Sequence, residues 1–341
     1  MSDKKRRAWY LFLIGVDVMK VVFTLMALLL VSFLGAQPDR VYDRQFRISL
    51  DEDFINIRGK GTDKGYTGGL HLDYLYIPQK ADFFLERWLP KAGTEAVNTY
   101  GIGLSHLMFT PTDLSTPAPL PGNYAYAGAL IGRYSLNSSN AIRKYNLQSQ
   151  IVLGVMGPMS LAEDIQVFIH RAIGDEKPMG WGNQLPNDIL VNFQMSAEKQ
   201  MTNTGRGFEL IGGATASAGS MYNGAGLYLL ARAGKMNPYF SGVLSQNGVP
   251  RSAGKKRTQL YVRVKPMLQI VAYNSLLRGG LILNKSRPVS PEIHNMVGSV
   301  EYGLTLVHRN FSISFTQTTL SPIVEGMDSH ETGNISLYFN W

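Results

Sequence analysis

The sequence predicts an all-β fold, a transmembrane antiparallel β-barrel of about twelve strands with a helix-bearing extracellular loop, and three observations carry that prediction. The chain opens with a basic and then apolar leader, alternates apolar and polar residues along most of its remaining length, and ends on an aromatic residue that closes an alternating run.

The leader comes first. Lys4, Lys5, Arg6 and Arg7 precede an apolar stretch that culminates in VVFTLMALLLVSFLGA, residues 21–36, the layout of a secretory signal peptide. Cleavage is expected after Ala36, and Met19 followed by Lys20 would by itself start a well-proportioned signal. A retained membrane anchor is the competing reading, and its apolar run would have to span ~20 residues. The division is therefore 1–36 as signal and 37–341 as an outer-membrane barrel, and the latter, 341 − 36 = 305 residues, holds no second apolar stretch long enough for a spanning helix. The absence of cysteine excludes a disulfide framework, thiolate metal sites and thiol catalysis. The net charge of +8 includes Lys4, Lys5, Arg6 and Arg7 of the leader, so it is no nucleic-acid footprint; an anionic lipid surface needs less.

The alternation fixes the faces of the strands. In the closing NISLYFNW, Ile335, Leu337, Phe339 and Trp341 share one face, and Asn334, Ser336, Tyr338 and Asn340 the other. In FRISLDED, Phe46, Ile48 and Leu50 oppose Arg47, Ser49 and Asp51; in LYVRVK, Leu260, Val262 and Val264 oppose Tyr261, Arg263 and Lys265. A soluble β-sandwich also alternates. The leader, the aromatic terminus and segments near the ~9–11 residues of a tilted transmembrane strand favour the barrel. Strands are expected at 45–54, 66–77, 98–109, 123–135, 142–155 and 187–200, then at 206–217, 221–233, 258–279, 297–308, 310–320 and 332–341. The segment 258–279 reads as one long strand or two, and two would break the even count. A periplasmic N-terminus places the connections 55–65, 110–122 and 156–186 together at the outer end.

Those connections hold the unusual residues. SLAEDIQVFIHRAIG reads as a short helix capped by Ser160, with Glu163 at the capping-box position and Gly174 as its stop. Gln166 and His170 are then neighbours on one face, and Glu176, Trp181, Asn183 and Gln184 follow. A lone histidine is commonly structural, but a long ordered loop is more often functional. In the first hairpin, DEDFINIRGKGTDKGYTGGLHL, strand parity puts Asp53 on the polar face with Arg47, Ser49 and Asp51, and Thr67 with His71 and Asp73, so that Asp53 and Thr67 would meet near its top. The third segment, MFTPTDLSTPAPLPGNYAYAGALIG, says by itself only loop and then strand. No G-x-S-x-G elbow, H-E-x-x-H pair, Walker loop or dinucleotide fingerprint is present. A histidine beside hard oxygen donors suits calcium-assisted hydrolysis, in which histidine activates water and the cation stabilises the developing oxyanion.

ISLDEDF, GTDKGYTGGLHLDY, FTPTDLSTPAP, YAYAGALIG and above all GVMGPMSLAEDIQVFIHRAIGDEKPMGWGNQL resemble the outer-membrane lipid A deacylases that remove the 3-O-linked acyl chain. The resemblance implies a twelve-stranded barrel, an active site at the outer end between the barrel wall and a helix-bearing loop, and calcium. By position it makes His170 the general base, Asp53 a calcium ligand, Glu176 a second ligand or a brace for the histidine loop, and Thr67 a hydrogen-bonding member of the site. Gln166 and Trp181, Gly182, Asn183 and Gln184 become its supporting residues. The chain departs from the family pattern at Glu52, where asparagine is usual, and at Asn123 and Tyr124, where aspartate and arginine are usual; loop 110–122 has no lysine.

The leading expectation is a calcium-dependent esterase that acts on lipid A (lipopolysaccharide) from the outer leaflet, as a monomer among outer-membrane lipids. A non-catalytic barrel, either a small channel or a lipid-binding protein, and an esterase for another lipid such as a phospholipid are the rivals. Convergence of His170, Asp53 and Glu176 on a cation site separates the first from the silent barrel.

Overall fold

Twelve antiparallel strands close into one barrel, each bonded to its sequence neighbours, with β1 sealed against β12. They are β1 Arg44–Glu52, β2 Gly65–Tyr76, β3 Val97–Thr110, β4 Ala127–Asn140, β5 Tyr145–Met156, β6 Asp188–Asn203, β7 Phe208–Gly219, β8 Tyr222–Lys235, β9 Thr258–Asn274, β10 Met296–His308, β11 Phe311–Leu320 and β12 His330–Asn340. The computed structural model describes residues 42–53, 55, 65–79, 84–174, 176–203, 205, 207–248, 258–284 and 291–341. The expected leader and most of connection 55–65 lie outside these residues.

Faces follow the alternation. Outward positions such as Ile102, Leu104, Leu153, Val191, Phe193 and Leu268 are exposed, forming an apolar belt. Inward positions carry paired polar groups: Asp73 takes two bonds from Arg47, at 2.7 and 3.0 Å, and one from Arg133 at 2.8 Å. Near the chain termini, an outward row of Tyr74, Tyr76, Tyr100, Tyr134 and Trp341 links by ring contacts of 5.7 to 6.3 Å. Such a row is the aromatic girdle of a membrane barrel.

Several expected bounds shift for identifiable reasons. β4 starts at Ala127 and runs to Asn140 instead of spanning 123–135. Its polar end is held by Ser138 to Asn98 (2.6 Å), Ser139 to Asn146 (3.1 Å) and Asn140 to the Ala92 carbonyl (2.9 Å). β9 is one strand; it stops at Asn274, whose side chain accepts from Leu276 N–H and caps a helical turn at Ser275–Arg278. Pro266 sits inside β9, and the ladder to β8 skips from Tyr228/Met267 to Ala231/Val264 around it, because proline has no N–H to give.

Both ends of the lumen are filled among the described residues. At the loop end, Ala127, Ile131, Met156, Leu185, Leu190 and Leu276 pack into one apolar cluster. At the terminus end, the β8–β9 connection folds inward: Tyr239 and Phe240 pack on Ile211 and Leu230. The Tyr239 hydroxyl donates to Glu198 (2.9 Å), and its phenol is pushed well above the usual range by burial and then by that carboxylate. A polar cavity of about 570 Å³ lies between, lined by Arg47, Gln194, Glu198, Arg232, Arg263 and Lys265.

The plug is anchored by a buried ion pair, Arg232 to Glu209 at 2.9 Å, with the guanidinium also over the rings of Tyr239 and Tyr261. Truncating one partner of such a pair leaves an uncompensated charge, at a cost of about 3–5 kcal/mol. Glu209→Leu is therefore expected to lower the urea midpoint of the barrel in detergent micelles, and Glu209→Leu combined with Arg232→Met to recover much of the loss. Equal midpoints for wild type and Glu209→Leu would contradict the anchor.

Candidate active site on the barrel wall

The loop after β5 turns back on the outside of the barrel. Pro158 and Ser160 bound a 3₁₀ turn, and the helix Ala162–Ile173 follows. The other helical segments are short: Phe84–Trp88, Val243–Gln246 and the turn after β9, so in chain order the four are α1 Phe84–Trp88, α2 Ala162–Ile173, α3 Val243–Gln246 and α4 Ser275–Arg278. Ser160 does not cap α2, as its sequence position suggests; its hydroxyl donates to the Gly157 carbonyl (2.6 Å), and Leu161 at φ 60° is the N-cap. Gly174 does stop the helix, at φ 72°, its N–H reaching the His170 carbonyl.

Two devices seat α2 on the wall. His106, on the outward face of β3, donates from Nε2 to the Ser160 carbonyl (3.0 Å). Gly128, on the outward face of β4, has no side chain, and a Cβ there would overlap the Ala162 methyl and the Ser160 hydroxyl. No sequence motif singles out either residue; close approach of helix to sheet explains the glycine.

The buried face of α2 carries Ala162, Gln166 and His170. Trp181 is buried, donates from Nε1 to Gln166 Oε1 (2.7 Å), and packs on Tyr126 with ring centroids 4.9 Å apart. Because indole only donates, the amide oxygen of Gln166 must face it, which directs Nε2 away, where it has no hydrogen-bond partner. His170 Nδ1 donates to the backbone carbonyl of Glu176 (2.6 Å). A carbonyl only accepts, so Nδ1 carries a proton, and in the neutral form of the ring the lone pair is on Nε2.

The proline-rich loop after β3 braces this segment. Met179 N–H reaches the Leu114 carbonyl (2.9 Å), and Asn183 Nδ2 the Pro117 carbonyl (2.7 Å). Gln184 donates its N–H to the Trp181 carbonyl, and its buried Oε1 has no partner. Asn123 caps the same loop through Thr112, and Tyr124 packs with Leu277 and Val324 under it, its phenol raised by burial.

The hairpin residues form a second group. Asp53 and Thr67 are both buried, and they meet through the backbone at the hairpin end, Asp53 N–H donating to the Thr67 carbonyl (3.2 Å). Thr67 does not share a face with His71 and Asp73, however, because a β-bulge between Tyr66 and Gly68 inserts it as an extra residue. Its hydroxyl lies 2.5 Å from that of Thr110, two positions beyond Met108 on the outward face of β3. Met108 packs with Ala162 and Trp181, so both groups stand against one outer stripe of β3, whose alternate residues are roughly 7 Å apart. The Glu52 carboxylate lies over Gly68 at the same hairpin end.

Asp53 carries a buried carboxylate, a hard-oxygen group of the kind calcium takes. Glu176 is exposed, and its carbonyl is what His170 engages. Among the described residues, no three His, Asp or Glu side chains gather into a group able to hold a metal, so the expected convergence of His170, Asp53 and Glu176 on a cation is not observed. Calcium takes roughly six to eight oxygens, and here most would come from backbone, water or substrate.

The sequence gives no hint of another constellation. His71 joins Asp51 (2.9 Å) and Ser105 (2.6 Å) inside the lumen, in the order of a serine-hydrolase triad. Ser105 is buried in a regular strand paired on both sides, so its neighbouring amides are committed to the ladder and form no oxyanion hole. Asp51 is further occupied by Tyr66 and Asn334. The set is a lumen brace.

Comparison with known proteins agrees with the architecture. The family model described as "Outer membrane protein LpxR" matches residues 22–341. Among solved structures, LpxR from Salmonella typhimurium is similar with a TM-score of 0.69 and 20% identity, over 87% of this chain and 100% of that one. The β domain of the Bordetella autotransporter BrkA is similar at a TM-score of 0.44 and 8% identity, over 89% of this chain and 100% of that one. No curated protein matches the chain in sequence.

Proposed function

The chain belongs to the LpxR family of outer-membrane proteins, and from that premise we propose that it is a lipid A 3-O-deacylase, the activity of the family its sequence resembles. The observation that carries the proposal is the His170 ring, buried on the wall face of α2 with its Nδ1 bonded to the Glu176 carbonyl, the tautomer in which a neutral imidazole has its basic lone pair on Nε2. In this reading Nε2 takes a proton from water while the water oxygen attacks the ester carbonyl carbon. As the tetrahedral species collapses, the acyl–oxygen bond breaks, His170 returns the proton to the departing sugar hydroxyl, and a 3-hydroxyacyl acid is released. Gln166 Nε2, aimed by Trp181, is a donor suited to the developing oxyanion. Thr67 holds the hairpin end through Thr110, and Asp53 orders it through its backbone.

A site on the outer wall suits a substrate that stays in the bilayer, because the ester reaches it laterally. The packed ends of the lumen favour this route over passage through the barrel. The reading places the loop end outside the cell and the barrel as a monomer, since a closed ladder has no free edge.

Calcium belongs to the proposal as well. Asp53 would hold it, with Glu52 close by and the remaining ligands from backbone, water and lipid oxygens; when bound it would supply charge stabilisation at the ester oxygen. Chelation is expected to lower turnover by on the order of 10²-fold, from several kcal/mol of lost stabilisation. Calorimetric titration of the detergent-purified protein with calcium is expected to give binding heat that Asp53→Ala abolishes. Undiminished binding by Asp53→Ala would remove Asp53 as a ligand, and turnover unaffected by chelation would remove the ion.

A further inference from the structure

Helix α2 has three sectors, read at about 100° per residue. Ala162, Gln166 and His170 fall within about 80° and are buried on the wall. Glu163, Asp164 and Arg171 fall at about 100° to 200° and are exposed. Leu161, Ile165, Phe168 and Ile169 fill the opposite flank and are exposed by 55%, 37%, 71% and 39%. A helix held on a wall needs no apolar residues on the flank turned from it. Here these apolar residues of α2 are on such a flank, exposed among the described residues, while Glu163, Asp164 and Arg171 are collected on the other side.

The height of the helix identifies what covers that flank. Gly128, beneath Ala162, is 134 − 128 = 6 residues along β4 from Tyr134 of the girdle, and His106 is 106 − 100 = 6 residues along β3 from Tyr100. At about 3.3 Å per residue and a tilt near 40°, this is roughly 15 Å above the girdle, inside an apolar band about 25 Å tall. The exposed Ile102 and Leu104 of β3 and Leu153 of β5 continue the same lipid-facing surface up to the helix.

We propose that α2 lies in the plane of the membrane as an interfacial helix, with Leu161, Ile165, Phe168 and Ile169 among the acyl chains of the leaflet at the loop end and Glu163, Asp164 and Arg171 toward water. The helix then sets His170 at the depth where ester groups meet the chains. This inference rests on the outer-membrane barrel and not on the deacylase reading, so either survives failure of the other.

The chain has no cysteine, so a single introduced one is labelled uniquely. Ile165→Cys, Phe168→Cys, Glu163→Cys and Asp164→Cys, each in the full-length protein and carrying a nitroxide, would be reconstituted in bilayers of phosphatidylethanolamine and phosphatidylglycerol. Heat-modifiable gel mobility checks that each barrel is folded. Power saturation is expected to show greater access to oxygen than to a water-soluble nickel chelate at 165 and 168, and the reverse at 163 and 164. Preference for the nickel chelate at all four positions would overturn the proposal, as would protection of 165 and 168 from both reagents, the signature of a covering protein segment.

Discussion

Replacing His170 by alanine is expected to lower deacylation of purified lipid A by about 10²–10⁴-fold, the usual contribution of a positioned general base, while the barrel stays folded. The imidazole makes its Nδ1 bond to a backbone carbonyl at the end of α2, so its loss leaves the strands and their ladders intact. The same geometry separates two roles for Glu176. Glu176→Gln keeps the carbonyl that fixes the tautomer and is expected to keep most of the activity; a loss as deep as that of His170→Ala would assign the carboxylate a direct part. Initial rates on micellar lipid A, with folding followed by heat-modifiable gel mobility, give both results. Wild-type turnover by His170→Ala would remove the histidine from the reaction.

The second large effect comes from a residue with no side chain. Gly128→Leu drives carbon atoms into the space of the Ala162 methyl and the Ser160 hydroxyl, so α2 must lift from the wall. Gln166 and His170 ride on that helix, and displacement of a reacting group by about 1 Å is enough for a loss near 10²-fold. The ladders of β4 to β3 and β5 run through backbone groups that leucine also supplies, so the barrel is expected to form normally. Activity falling at least that far in a heat-modifiable, folded variant is the predicted outcome; an active Gly128→Leu would mean that α2 is not seated on Gly128.

Much of this arrangement is legible in the sequence because a barrel wall repeats one simple rule. Apolar-out and polar-in alternation gives twelve strands, and the bounds lie within a few residues of the pattern except at both ends of β4 and at the end of β9. β4 departs because Ser135, Asn137, Ser138, Ser139 and Asn140 resemble a loop until their lumen partners are seen. Parity also fails at one extra residue: the bulge at Thr67 turns it to the outer stripe of β3, and alternation carries no sign of an insertion whose partner lies 43 positions away.

The site was legible in part. Gln166, His170 and Trp181 stand out as polar and aromatic residues in a helix-bearing loop, and they do gather on one buried face. What holds them there is carried by residues that local patterns leave plain: His106 in a strand, Gly128 opposite a methyl group, and backbone carbonyls at Glu176, Leu114 and Pro117. Ser160 illustrates the same limit, since a capping-box spelling is satisfied by sequence alone while Gly157 and Pro158 start a tighter turn that takes its hydroxyl. The inward plug after β8 has no periodicity at all; Tyr239 and Phe240 acquire their meaning from Glu198 and Ile211 across the lumen.

The most direct measurement is mass spectrometry of lipid A from cells that express the wild-type chain, beside cells that express none. Loss of one 3-hydroxyacyl mass in the expressing cells is the predicted result. An unchanged lipid A profile, with the folded protein recovered from the outer membrane, would contradict the deacylase.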